Sequence, residues 1–139
     1  MTAISKLVGP GTVQTSVRLP PRSSAPRVAR KLVRDLCTGS GLPDNLVDDA
    51  ALVIGELVTT SVRQAHMAVQ VVVVVAADEV TVRVYDKGTM PPAGLTDRPA
   101  AGRSWDTVRR LCTSWGYHGG AGGRAMWASF RANRSRPTR

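Results

Sequence analysis

The chain is poor in aromatic residues: three Trp, two Tyr and one Phe, 4% in all, against an ordinary apolar fraction of 42%. Its core must therefore be built mainly from Val, Ala and Leu, and its composition offers little for stacking on bases. Cysteine is nearly absent. Cys37 and Cys112 stand far apart without metal-ligand spacing, which argues against a disulfide framework and a zinc module. Both read as reduced thiols on helices. No run of about 18 apolar residues exists to span a membrane. Met1 to Pro10 lacks the apolar core of a secretion signal, so the expected compartment is the cytoplasm. The two histidines, His66 and His118, have no Cys, His or carboxylate at ligand spacing, which leaves a metal site without support. Acid is scarce beside base: 10 Asp and Glu against 19 Lys and Arg, a net charge of +9. Lys occurs only at 6, 31 and 87. Such a balance suits nucleic acid, an anionic membrane face or an acidic protein partner.

What is present reads as one domain of ordinary size within 139 residues. Residues 1–11 read as a flexible lead-in ending in Gly9-Pro10-Gly11. Thr12 to Leu19 alternates as a strand. Ser23-Ser24-Ala25-Pro26 starts a helix with a hydroxyl cap, and that helix runs to about Thr38, burying Val28, Leu32, Val33 and Leu36. A second, longer helix is expected over about Asp44 to Ala65, with Asp44, Asp48 and Asp49 in its first turns and His66 at its end. The valine run Val69 to Ala76 and the alternating Val80 to Tyr85 form a hairpin. Thr89 to Arg103 is a Pro- and Gly-rich connection of about 15 residues, long enough to be a lid or binding loop. Ser104 to Ser114 reads as a helix, Gly116 to Gly123 as a glycine-dense turn and Arg124 to Phe130 as a last strand. Residues 131–139 read as a basic disordered tail. The fold class expected is α+β: a two-layer sandwich with helices on one face of a mixed, mostly antiparallel sheet, the domain covering residues 12–130.

Three stretches carry candidate chemistry. On the long helix, Val47, Ala50, Ile54, Leu57 and Ser61 make an apolar face, while Glu56, Thr60 and Arg63 project together from another. Asp86-Lys87-Gly88 closes the hairpin's second strand. Gly102-Arg103-Ser104 stands where the long loop enters a helix. A carboxylate before glycine can receive an amino group of a base. Free N–H groups at a helix start can hold phosphate. A glutamate facing them can orient a hydroxyl.

In this order the three stretches resemble the anti-sigma-factor serine-kinase branch of the GHKL superfamily, whose ATP-binding (Bergerat-type) fold is shared with histidine kinases and Hsp90. The likeness runs from about Thr12 to Phe130 and is strongest in Leu42-Pro-Asp-Asn-Leu-Val-Asp-Asp-Ala-Ala-Leu-Val-Ile-Gly-Glu-Leu-Val-Thr. It implies ATP and Mg²⁺ under a mobile loop, with Glu56 as general base. Thr60, Arg63, Asp86, Gly88, Gly102, Arg103 and Ser104 would stand in the nucleotide motifs. It also implies a sigma factor and an anti-anti-sigma protein as partners, and homodimers are usual in the family.

The departures bear on activity. Thr60 stands where the family has its Mg²⁺-binding Asn, and a hydroxyl on a short side chain is a poorer ligand than an amide carbonyl. Gln64 replaces a common His, Met90 a second glycine, and Ser104 a phosphate-loop glycine, followed by Trp105. Trp105 reads as core or interface, with the alternative that it fills space a nucleotide would take. The pattern therefore favours an anti-sigma-type protein that works by protein binding, with nucleotide binding weakened or lost. An active serine kinase is the alternative. A basic nucleic-acid-binding regulator comes third, since no DNA-reading motif or zinc pattern is present.

Overall fold

The computed structural model describes residues 4–89, 91–92 and 103–132. In chain order they form β1 (Ile4–Gly9), β2 (Thr12–Leu19), α1 (Ala25–Cys37), α2 (Asp44–Ala65), β3 (Val69–Val75), β4 (Glu79–Asp86), α3 (Arg103–Leu111), β5 (Ser114–Gly120) and β6 (Gly123–Arg131).

The most strongly patterned stretch makes the central element. Over 22 residues, α2 repeats apolar side chains at helical spacing and buries Val53, Ile54, Leu57 and Val58 completely. Each such side chain contributes about 1.5–3 kcal/mol by leaving water. Ile54→Ala would cost roughly 2–5 kcal/mol, depending on how far the site collapses. The helix lies between α1 on one side and β4 and β6 on the other, with α3 beside it. It stops where His66 takes the left-handed conformation at φ 54°. Its N-terminus begins after Pro43 and has no side-chain cap. Ser24 precedes α1 as expected, yet its hydroxyl makes no capping bond, because its backbone is already helical at φ −80°, ψ −13°. The inner stripe of α1 is Ala25, Ala29, Val33 and Cys37, while Val28, Leu32 and Leu36 are half-buried at its margin.

Strand alternation decides which sheet face is covered. Val80, Val82, Val84 and Asp86 of β4 point to the buried side, as do Val69, Val71, Val73 and Val75 of β3 and Met126, Ala128 and Phe130 of β6. Their neighbours, such as Gln70, Arg83 and Tyr85, face away and are exposed. The result is one layer of helices on one face of a six-stranded sheet, ordered β1-β2-β3-β4-β6-β5. The two-layer α+β fold is the one expected. In detail, every pairing among the described residues is antiparallel rather than mixed.

That detail has a physical origin in β5. A strand followed by a helix and then a neighbouring strand would return parallel. Ser114 reads as the end of a helix and Gly116 to Gly123 as a glycine-dense turn, but here α3 stops at Leu111 and Ser114–Gly120 is a strand. It pairs with β6 from Ser114↔Ser129 to Gly120↔Gly123 and so reverses the chain before it meets β4. Two further boundaries move. The lead-in holds β1, which pairs with β2 and joins it by a Ser5–Thr15 hydroxyl contact of 2.7 Å. Arg131 belongs to β6 rather than to a tail, held by Nη2 to Glu79 Oε2 at 3.0 Å across from β4. Residues 133–139 and the loop positions 90 and 93–102 lie outside the described residues.

Candidate functional site

The expected polar wall on α2 is only partly a wall. Thr60 is 7% exposed, and its Oγ1 donates to the Glu56 carbonyl at 3.0 Å, one turn back along the helix. Glu56 is half-buried. Arg63 is exposed, and the structure does not bring it into the cluster described next. Its neighbour Gln64, one turn beyond Thr60, takes that place.

Asp86 ends β4 on the same parity as Val80, Val82 and Val84, so its carboxylate enters the helix-covered layer. There it meets Arg124, the opposite residue on β6. Arg124 Nε donates to Asp86 Oδ1 at 2.9 Å and to Oδ2 at 3.1 Å, with both side chains almost wholly out of water at 1% and 0% exposure. The Gly88 N–H donates to Oδ1 at 2.8 Å. On the far side of the guanidinium, Nη1 donates to Gln64 Oε1 at 2.9 Å. Gln64 Nε2 in turn donates to the Pro91 carbonyl at 3.2 Å. One polar relay thus joins the end of β4, the start of β6, the last turn of α2 and the beginning of the long loop.

Two glycines make room for it. A Cβ on Gly88 would lie 3.0 Å from both Asp86 Oδ1 and Arg124 Nε. Gly123 sits at φ +125°, where a Cβ would come within 2.5 Å of the Asp86 carbonyl. Burying the two charges costs several kcal/mol each, which their attraction offsets only with good geometry and satisfied hydrogen bonds. The two-contact approach of Nε, with Gly88 and Gln64 on either side, supplies much of that geometry and several of those bonds.

Gly88 is therefore at the site as expected, but as the ion pair's close neighbour. Gly102 and Met90 lie outside the described residues. Arg103 and Ser104 open α3 as expected, and their side chains are also outside the described set. Trp105 is fully buried in the core and tilted 53° against Trp115 at 5.3 Å, with the Arg109 guanidinium 5.5 Å from the Trp115 ring centre. It fastens α3 to the edge strand β5. Among the described residues, no group of three or more His, Cys, Asp or Glu could hold a metal ion. No helix among them is long and apolar enough to cross a membrane.

Arg124, the first residue of the expected last strand, is a site residue that no motif marks. Its signal was parity: Met126, Ala128 and Phe130 point inward, so Arg124 must too, and an inward cation needs a partner. Asp86, at an inward strand end, is that partner.

Helices layered on one face of an antiparallel sheet, with the polar end of α2 against the end of β4, are the two-layer α+β arrangement expected. The crystal structure of the RsbU and RsbW domains of Rv1364c from Mycobacterium tuberculosis is similar, with a TM-score of 0.69 and 19% sequence identity over 88% of this chain. The match takes in 33% of that chain, so the present sequence spans about a third of its length. At this identity the likeness shows the fold. No protein-family model matches the chain, and no curated protein matches it.

Proposed function

We propose that this protein is a cytoplasmic regulator of the anti-sigma type. It acts by binding a sigma factor or an anti-anti-sigma-type protein, with the ATP and Mg²⁺ chemistry of its fold lost. The observation that carries the loss is the Asp86–Arg124 pair. In the resemblance, the carboxylate at Asp86 receives the adenine amino group. Here both its oxygens accept from Arg124, and the side chain is 0% exposed. An amino group entering there would compete with the buried guanidinium for the same carboxylate, and breaking a buried pair costs about 3–5 kcal/mol. Thr60, at the metal-ligand position, spends its hydroxyl proton on the Glu56 carbonyl and offers one oxygen in place of an amide. Among the described residues, neither Asp86 nor Thr60 suits Mg·ATP. Glu56 and Arg63 remain as polar groups of a surface made for protein contact.

The test has two arms. Calorimetry with ATP is expected to show no binding that depends on Mg²⁺, and incubation with labelled ATP and an anti-anti-sigma protein no transfer to serine. A purified sigma factor is expected to bind equally well with and without nucleotide. Tight Mg²⁺-dependent ATP binding would restore the kinase reading. Failure to bind any sigma factor or anti-anti-sigma protein offered would remove the regulatory one.

A further inference from the structure

The uncovered face of the sheet carries a site of its own. The strand registers place Arg18, Gln70, Tyr85, Ala125 and His118 side by side in one row across β2, β3, β4, β6 and β5. All five face away from the helices, and with Lys87 and the Gly122–Gly123 turn they line a cavity of about 560 Å³. Neither Glu56 nor Thr60 borders it. The row's chemistry is uneven in a useful way. Two ring-bearing side chains, Tyr85 and His118, flank the small Ala125. Tyr85 is 36% exposed and His118 is exposed. Their strands lie two spacings apart, about 9.6 Å. That distance accommodates one planar ring over Ala125 with a centroid separation of about 4.5–5 Å from each neighbour, the range of stacked aromatic pairs.

The surrounding charge is of one sign. Arg18 and Lys87 are exposed at the cavity. The one carboxylate among its lining residues, Asp86, is turned to the other face and neutralised by Arg124. Gln70 is oriented by its Nε2 bond to Ser16 Oγ at 2.9 Å, which leaves its carbonyl oxygen free to accept from a base amino group. Beneath lies Val72, 7% exposed although it faces the open side.

We propose that this cavity binds a free nucleotide. The planar base enters between Tyr85 and His118 over Ala125, and the phosphate is held by Arg18 and Lys87. The cavity's size is that of a small-molecule site rather than a polymer track. The assignment does not use Glu56 or Thr60, although Asp86, Gly123 and Arg124 border this cavity as well as the helix-covered cleft.

The experiment is calorimetric titration with adenosine 5′-monophosphate and with inorganic phosphate, each with and without Mg²⁺. The monophosphate is expected to bind without Mg²⁺ and at least about tenfold tighter than phosphate, since a stacked base contributes a factor of about five to over a hundred. Ala125→Leu, a change on the open sheet face that fills the slot, should weaken binding about tenfold or more. Tyr85→Ala should do so independently, should the first variant fold poorly by circular dichroism. Arg18→Gln with Lys87→Gln should weaken both probes alike. Absence of monophosphate binding overturns the proposal. So does binding that needs Mg²⁺, or that survives both Ala125→Leu and Tyr85→Ala. A ten-residue oligothymidylate binding more than about tenfold tighter than the monophosphate would overturn the assignment to a free nucleotide in favour of a single strand.

Discussion

Arg124→Met is the perturbation with the most to say. Met keeps much of the apolar stem and removes the guanidinium. Asp86 would then remain buried at the end of β4 with the Gly88 N–H, 2.8 Å away, as its remaining partner among the described residues. Removing one member of a buried ion pair costs about 3–5 kcal/mol, most of it the penalty of the charge left behind. For a domain of this size a change of 1 kcal/mol moves the melting temperature by about 3–5 °C. The expected fall is therefore about 10–20 °C. The double variant Asp86→Asn/Arg124→Met carries no buried charge and should recover most of that loss, because neutral replacements of buried pairs are often nearly neutral overall. Urea unfolding of the four proteins in this cycle measures the coupling, expected to be about 2 kcal/mol or more. A single variant costing under about 1 kcal/mol would refute the reasoning. So would a double variant no more stable than the single one, since Asp86 would then not depend on Arg124 for its place in the cleft.

Other changes report on the elements around that pair. Gly123→Ala puts a Cβ 2.5 Å from the Asp86 carbonyl at φ +125°, and should cost at least about 2 kcal/mol by thermal or urea unfolding. Trp105→Ala empties the largest buried site and should cost about 3–5 kcal/mol. Trp105→Phe should cost clearly less, because the indole N–H has no hydrogen-bond partner among the described residues and none is lost. Burial raises the Cys37 thiol from the ordinary 9.0 to about 11, and the Cys112 thiol likewise to about 11. The folded state therefore favours the protonated thiols, so their contribution to stability is intact below pH 9 and is lost as the pH rises from 9 to 11. A thiol reagent should accordingly react slowly with the native protein at pH 8. The urea midpoint should fall between pH 9 and pH 11, and a Cys37→Ala, Cys112→Ala variant should lose less over that interval.

The legible parts of the fold were those with a strong period. In α2 the apolar repeat over 22 residues gave both ends, and the β3–β4 hairpin followed from its valines and alternation. Glu56, Thr60 and Asp86 were placed on the right elements for the same reason. β5 was not legible: Ser-Trp-Gly-Tyr-His-Gly-Gly has little strand preference of its own, and its ladder with β6 holds it extended. β1 was missed because it is an edge with both faces exposed, so no buried face imprints an alternation on Ile4–Gly9.

For the site, sequence by itself determined the inward parity of Asp86 and Arg124 and the small residue at Ala125, because alternation along a strand is a local property. Only the tertiary structure decided that Asp86 and Arg124 face one another with Gln64 behind, and that Tyr85 and His118 flank Ala125. Those neighbours come from strand order and register, which rest on contacts between residues far apart in the chain. With few aromatics and an excess of arginine, composition alone pointed away from base stacking. The register instead gathers a tyrosine and a histidine on the open face and turns one arginine inward onto an aspartate.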